Sequence, residues 1–224
     1  MDRQLKRVFS GHIAGVGSQS GHRLVVGSWQ TSPFGAFTDV MVQRAGGQER
    51  RGYLPLAGAD GGIGTDDERV LLAPTREIAD FVSTTYAFDR VLVGPVRAEL
   101  TEDRLTVAAP NLDLRIDIGG AAPLDRLLRL VPARLAVAPW WLRAIDPVAS
   151  RMVAGVHTAG TAGNGRREYY GVRRSRRIVG VSGRLDGEDL GALAPLRPPV
   201  RFGFASAPAE PQIVSVTTTI IETA

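Results

Sequence analysis

The stretch Leu112-Asp113-Leu114-Arg115-Ile116-Asp117-Ile118 alternates apolar and charged residues without interruption. Successive residues of a β-strand point to opposite faces of a sheet, so the pattern predicts a strand with one buried face and one solvated face. The same alternation recurs along the chain between turns rich in glycine, proline and aspartate. It predicts strands over residues 23–29, 90–100, 112–118, 178–185, 200–204 and 212–220.

Short strands at this spacing favour a mainly β fold, closed into an antiparallel β-barrel, over alternating βαβ units. Helical signals appear in two places. Thr75 can cap a helix that runs to about Tyr86, because the apolar residues that follow it share one stripe. The apolar region 123–153 has prolines placed as helix starters, whereas Pro132 and Pro147 are expected to break it into short pieces. We expect this region to be a helical insertion that caps one end of the barrel.

The composition is that of an ordinary globular protein. The chain has 224 residues, 44% hydrophobic and 22% charged, which fits one domain over residues 1–224. A glycine-rich loop at 44–69 is expected to be mobile. Cysteine is absent, which excludes disulfides, thiolate nucleophiles and cysteine metal sites. Lys6 is the one lysine, and its place near the terminus argues against Schiff-base catalysis, which needs a lysine amine.

Cofactor and metal motifs are absent or out of context. The glycines at 15–21 resemble a dinucleotide loop, but the predicted strand after them leaves no helix N-terminus for a pyrophosphate. His12, His22 and His157 lack the spacing of metal ligands,. We therefore expect neither a cofactor nor a metal. The chain shows no signal-peptide core and no apolar run of the roughly 18 residues that a membrane helix requires, so we expect a cytoplasmic location and no membrane partner.

The segment 163–177 is unusual because it holds six arginines and two tyrosines. It has three interpretations. The arginines could bind nucleic-acid phosphates while the tyrosines stack on bases, or they could hold an anionic small molecule through their bidentate geometry. The third is a strand with solvated arginines and buried aromatic rings. The net charge of only +4 argues against nucleic acid.

Glu168 and Tyr170 are the first candidates for acid/base chemistry, because alternation places them on one face of the strand. If that face points inward, the carboxyl and the phenol form a catalytic pair. If it points outward, Glu168 and Arg166 form a surface ion pair that contributes little. Asp39 and His157 are the next candidates.

A set of aromatic residues could line an apolar pocket with a few polar groups, which is the usual form of a small-molecule site. An arginine beside them could hold an acidic group of the ligand. The candidate binding residues are Trp29, Phe37, Trp140, Trp141 and Phe204, with Arg166 and Arg201 as the arginines.

The segments 32–41, 165–171 and 200–204 together resemble a family of uncharacterised actinobacterial proteins, which implies no activity. Residues 167–174 are also similar to the lysine-bearing segment of acetoacetate decarboxylase-like proteins. Arg173 and Arg174 stand where that family has its Schiff-base lysine, and the spacing differs by one residue. The resemblance implies a related β-rich fold, lipocalin-like or acetoacetate decarboxylase-like, without the decarboxylase mechanism.

These observations favour a barrel whose interior holds an apolar or acidic small molecule. If the protein is an enzyme, we expect a cofactor-independent cyclase, isomerase or lyase of bacterial specialised metabolism, with a polyketide-like substrate, that works by shape and acid/base groups. A non-catalytic carrier with the same pocket is one alternative, and a nucleic-acid-binding module built on the 166–177 stretch is another. The sequence leaves open which strand face lines the interior and whether the chain forms a homodimer.

Overall fold

The computed structural model describes residues 5–45, 67–152, 157–203 and 207–222. Phe204 and residues 46–66 of the predicted 44–69 loop lie outside these ranges. The described strands are β1 (Leu5–Ser18), β2 (Arg23–Thr31), β3 (Phe37–Arg44), β4 (Glu68–Ala73), β5 (Arg90–Val93), β6 (Arg97–Leu100), β7 (Arg104–Ala109), β8 (Leu112–Ala121), β9 (Ala159–Thr161), β10 (Arg167–Leu185), β11 (Glu188–Asp189), β12 (Leu193–Ala194) and β13 (Gln212–Glu222). The α-helices are α1 (Arg76–Thr85), α2 (Asp125–Leu128) and α3 (Pro139–Met152).

The strands form one sheet in the order β5-β4-β3-β2-β1-β13-β10-β8-β7-β6. Neighbouring strands are antiparallel except β4 and β5, which are parallel. The long central strands β1, β13 and β10 connect the two halves of the sheet through two long ladders, and the ladder between β10 and β13 shifts register between Val172 and Arg174. The sheet is therefore mixed, with β5 and β6 at the two ends of this path.

One face of the sheet curls onto itself around an apolar core. Val26 and Val40 from one half of the sheet share a single buried cluster with Leu114 and Ile116 from the other half. In β8 the alternation of the sequence is reproduced, because Leu112, Leu114, Ile116 and Ile118 are buried while Asp113 and Arg115 are exposed. The sheet is a half-barrel, so the mainly β prediction is confirmed.

Helices and a loop cover the opposite face of β1, β2 and β3. Helix α1 begins after Thr75, whose side chain accepts the hydrogen bond from the Ile78 N–H, as its sequence predicts. Ile78 and Val82 of this helix pack against Leu71. The loop that follows β12 packs its buried residues Leu196, Val200 and Phe202 over the same face.

The segment 122–152, which we call the helical cap, lies along β10. The buried Asp125 carboxylate accepts hydrogen bonds from the Ser175 N–H (2.8 Å) and from Arg174 Nε (3.1 Å). Gly171 lets the cap approach the strand closely, because a Cβ there would stand 2.5 Å from the Ala136 carbonyl oxygen. Within the described residues, no helix is both long and apolar enough to cross a membrane.

Three predictions about local structure are wrong. Residues 90–100 form two strands, β5 and β6, which are separated at Gly94. The described part of 200–204 is not a strand. Its residues instead fill the loop that covers the sheet, and the preceding prolines at 198 and 199 lack the N–H groups that a ladder needs. Pro147 lies inside α3, where it is exposed, so that water can bind the carbonyl group that proline leaves unpaired.

Candidate functional site

A cavity of about 330 Å³ lies between the covered sheet face and the helical cap. The interior of the curl is filled by the apolar core, so the pocket is on the other face of the sheet from the barrel interior that the sequence suggested. Its size and apolar lining are those of small-molecule sites. The floor is Phe9, Ile13, Val25, Met41, Val172, Val214 and Val216, and the roof is Leu124, Leu128, Val131, Trp141, Leu142 and Ile145.

Strand register places a small number of polar groups in this apolar surface. Thr218 of β13 is paired with Tyr170 of β10 on one side and with Phe9 of β1 on the other. Asp39 of β3 is paired with Gly27 of β2. Because directly opposed residues of an antiparallel pair project from the same face, each of these rows points into the pocket.

A buried carboxyl and two phenols form a compact cluster at the pocket wall. Tyr86 Oη donates to Glu168 at 3.0 Å from Oε1 and 3.1 Å from Oε2. Tyr170 Oη donates to Glu168 Oε2 at 3.2 Å, and the two phenol oxygens are 2.6 Å apart. Both tyrosines line the pocket, whereas Glu168 is fully buried behind them. The two tyrosines therefore stand between the Glu168 carboxyl and the pocket.

Burial perturbs all three groups of this cluster. Desolvation raises the pKa of the Glu168 carboxyl to about 7, against the lowering effect of the two tyrosine hydrogen bonds and of the Arg166 charge. Desolvation also raises the pKa of Tyr86 and of Tyr170 well above the ordinary value for a phenol. The tyrosines are therefore neutral hydrogen-bond donors near pH 7, while Glu168 exchanges its proton in that range.

Among the described residues, Asp39 is the one carboxyl-bearing residue that lines the pocket. Trp29 Nε1 donates to its Oδ1 at 3.0 Å. The side chain is buried, and desolvation raises its pKa to about 7, with the Trp29 hydrogen bond acting in the lowering direction. The Asp39 charge also raises the pKa of Tyr170, which couples the two polar groups across the pocket.

Gly27 makes room for the Trp29–Asp39 hydrogen bond. A Cβ at this position would lie 2.6 Å from Asp39 Oδ1 and 2.7 Å from Trp29 Nε1. We expect Gly27→Ala to separate the two side chains and to destabilise the protein by about 1–3 kcal/mol, as overpacking of a buried site does. Urea unfolding and the tryptophan emission spectrum measure the two effects. Gly120→Ala, where the nearest heavy atom is the Arg177 guanidinium nitrogen at 3.8 Å, is the matched control, and an equal loss there would contradict the assignment.

Thr218 places a further polar group, a hydroxyl, on the pocket wall. Its side chain is 3% exposed and lines the pocket, and its Oγ1 has no hydrogen-bond partner in the described chain. A buried hydroxyl without a partner costs about 1–3 kcal/mol. A ligand oxygen or N–H group next to β13 would supply that partner.

The predicted site residues fall into two groups. The structure brings Tyr170, Asp39, Trp29, Phe37, Trp141 and His157 to the pocket, with Glu168 behind it. His157 stands at the rim with its Nδ1 3.3 Å from Asp146 Oδ2 and is 43% exposed.

The remaining candidates lie away from the pocket. Trp140 is 65% exposed, because it is rotated one helical position from Trp141 in α3. Arg166 lies 4.7 Å above the Phe81 ring and binds Thr84, Thr85 and Glu222, so its charge is used to attach α1 to the sheet. Arg201 is exposed, and its backbone N–H donates to Gln43 Oε1 at 2.8 Å.

Two site residues escaped the sequence analysis. In the sequence, Tyr86 is the last residue of the apolar stripe of α1. A buried tyrosine needs a hydrogen-bond partner for its hydroxyl, and this need was the signal that could have identified it. Thr218 sits in a β-branched run that is typical of any strand. Neither residue has a neighbour in the sequence that marks it as part of a site.

Comparisons with known proteins find little. No family model matches the chain, and no curated protein matches it. Among solved structures, the chain is similar to an acetoacetate decarboxylase from Legionella pneumophila subsp. pneumophila str. Philadelphia 1, with 8% sequence identity over 99% of this chain and 84% of that chain and a TM-score of 0.42. That enzyme belongs to the family whose lysine-bearing segment resembles residues 167–174, but an identity and TM-score this low assign no activity to the present chain.

Proposed function

We propose that the pocket binds an apolar small molecule with a carbonyl group and that the protein catalyses a proton transfer beside that carbonyl without a cofactor. Isomerases, cyclases and lyases of specialised metabolism, including those with polyketide-like substrates, use this step. The observation that carries the proposal is the pair of carboxyls, Asp39 and Glu168, whose pKa burial raises to about 7 on two sides of one apolar pocket. A base and an acid are most effective when their pKa lies near the working pH.

Asp39, which lines the pocket, would act as the base. Its ionised carboxylate would take a proton from the carbon next to the ligand carbonyl, and the electron pair of that C–H bond would move to form an enolate. The same carboxyl, now protonated, would return the proton to a carbon of the ligand. The proton and the charge balance over the two steps, and no further reactant is needed.

The tyrosine pair would stabilise the enolate oxygen. With Glu168 ionised, both phenol hydrogens are drawn to its carboxylate. With Glu168 protonated, its own hydrogen can bind one phenol oxygen, which leaves a phenol hydrogen for the ligand. The acid form of Glu168 therefore presents a donor to the pocket, where the surroundings are apolar and the donor is already oriented.

Two other functions fit the residues less well. A carrier needs an apolar pocket but not buried carboxyls beside the ligand, which cost stability. A nucleic-acid module needs free arginines, yet Arg166 and Arg174 bind carboxylates and Arg176 binds the carbonyl oxygens of Gly119 and Glu102. Three of the six arginines of the stretch are thus used within the fold.

Deuterium exchange of a simple apolar ketone tests the proposal. With 2-tetralone in D₂O near neutral pD, saturation-transfer NMR reports binding, and the loss of the proton signal beside the carbonyl reports proton transfer. We expect the wild type to bind and to exchange. Asp39→Asn should bind and should exchange about 10²–10⁴ times more slowly, the usual contribution of a general base.

Binding without exchange above the buffer rate would identify a carrier and overturn the enzymatic proposal. An Asp39→Asn rate equal to the wild-type rate would overturn the assignment of the base. Asp113→Asn, a change at an exposed aspartate on β8, is the matched control and should exchange as the wild type does.

A further inference from the structure

The helical cap exposes an unusual amount of apolar surface at the pocket. Leu130 is 78% exposed, Trp140 65%, Val148 52% and Leu127 49%. Leu127 and Val148 also line the pocket. These four exposed apolar residues, which we call the cap patch, therefore include two that also line the cavity.

The segment that carries the cap patch has an excess of positive charge. Residues 122–152 contain five arginines and two aspartates, and five minus two gives a formal charge of +3. Both aspartates are engaged, because Asp125 is fully buried against β10 and Asp146 accepts the N–H groups of Thr158 and Ala159. Arg126, Arg129 and Arg134 are all exposed in the same segment, and Arg129 is also paired with the buried Asp125 at 3.4 Å.

We propose that the cap patch docks on the surface of an anionic lipid bilayer, so that the pocket opens toward the lipid. Exposed leucine and tryptophan side chains enter the boundary between headgroups and acyl chains, and arginines bind the lipid phosphates; this is the composition of peripheral membrane contacts. Tryptophan in particular favours that boundary. The use of this contact, which is to take an apolar ligand from the bilayer or return one to it, rests on the proposed function.

The same charges argue against a second copy of the chain as the occupant. A two-fold interface brings one patch against itself, so the arginines of one cap would face the arginines of the other, and like charges across an interface are unfavourable. The proposal departs from the sequence-based expectation of no membrane partner, which rested on the absence of a spanning segment, whereas a peripheral contact requires none.

Co-sedimentation with vesicles tests the proposal. We expect the wild type to bind vesicles of phosphatidylcholine with phosphatidylglycerol, to bind pure phosphatidylcholine vesicles weakly, and to leave the anionic vesicles as NaCl rises from about 50 to about 500 mM, because salt screens the arginines. Leu130→Glu and Trp140→Glu should each weaken binding by about tenfold or more, since each removes apolar contact and adds a repelled charge. Val179→Glu, which alters a 60% exposed valine on β10 outside the cap, should bind as the wild type does.

A second measurement reports the contact directly. Vesicles with brominated acyl chains should quench the tryptophan emission of the wild type, and Trp140→Phe should lose most of that quenching. Absence of binding to anionic vesicles would overturn the proposal, as would an equal loss in Val179→Glu. A wild type that dimerises, with Leu130→Glu monomeric and neither bound to vesicles, would show that the patch joins two copies instead. The 2-tetralone exchange of Leu130→Glu without vesicles should equal that of the wild type, so failure of docking and failure of the proposed catalysis give different results.

Discussion

Replacing Asp39 with asparagine should raise the free energy of unfolding at pH 8 by about 2–4 kcal/mol. Burial raises the pKa of this carboxyl from its ordinary 3.8 to about 7, a difference of about three units, and each unit corresponds to 1.36 kcal/mol. At pH 8 the wild type must keep a charged carboxylate in an apolar pocket. Asparagine keeps the oxygen that accepts the Trp29 hydrogen bond and removes the charge.

The pH dependence has a definite sign. Since the folded pKa is raised, the folded state binds more protons than the unfolded chain between about pH 4 and pH 7, and stability falls as the pH rises through that window. The Glu168 carboxyl acts in the same direction, with its pKa raised to about 7. Carboxyls with a lowered pKa, such as Asp125 and Asp146, lose their contribution as the pH falls below about 4. We therefore expect maximal stability near pH 4 in urea titrations.

Asp39→Asn should remove part of the decline above pH 4, and the double variant with Glu168→Gln should remove more. Asp89→Asn is the control. Asp89 is bound by Arg69, whose hydrogen bond lowers the pKa of the carboxyl, so neutralising it cannot stabilise the protein at pH 8. A decline of equal slope in wild type and Asp39→Asn would show that the pocket carboxyl is not desolvated.

Tyr170→Phe should slow the exchange of 2-tetralone by about 10²–10³ with little change in its binding, which is the usual loss when one donor to a developing oxyanion is removed. Tyr170 lines the pocket, and its hydroxyl is one of the two phenol groups that can donate to the ligand oxygen. Tyr169→Phe is the matched control. Its hydroxyl is buried and bound by Arg143, on the opposite face of the same strand, so the exchange rate should be that of the wild type.

The pH profile separates catalysis from a structural effect. The wild type needs Asp39 ionised and Glu168 protonated, so its exchange rate should follow a bell around pH 7. Glu168→Gln carries N–H donors at every pH, and its profile should lose the alkaline limb while it keeps the acid limb of Asp39. If Glu168→Gln keeps both limbs of the profile, Glu168 is not the group that titrates in the alkaline limb. If Tyr170→Phe exchanges at the wild-type rate, the tyrosine pair does not stabilise the enolate oxygen.

The apolar–polar alternation in the sequence predicts the mainly β fold and the shared face of two site residues, Glu168 and Tyr170. The period-two pattern of 112–118 predicts a one-sided strand, and β8 buries the predicted side chains. The same rule places Glu168 and Tyr170 on one face of β10, and in the structure they share a hydrogen bond. Both conclusions depend on local geometry alone, since strand residues two apart must face the same way.

The rest of the site depends on contacts that local geometry does not contain. Tyr86 meets Glu168 from 82 residues away, across the gap between α1 and β10. The pKa of Asp39 is raised only because the folded chain buries its carboxyl, and Gly27 on the paired strand leaves room for its hydrogen bond with Trp29. The location of the pocket also follows from the curl of the sheet, which fills the concave side with apolar side chains and leaves the other face for the ligand.

One face of the central strands packs in the core, and the other face lines the pocket. The two sets of positions can therefore be changed separately. In β1, β2 and β3, side chains such as Ala14, Val26 and Val40 belong to the core, and their immediate neighbours Ile13, Val25 and Asp39 belong to the pocket. Substitutions at sites without shared contacts have nearly additive effects on stability. A library confined to the pocket-facing positions should therefore change ligand preference widely while most of its members still fold.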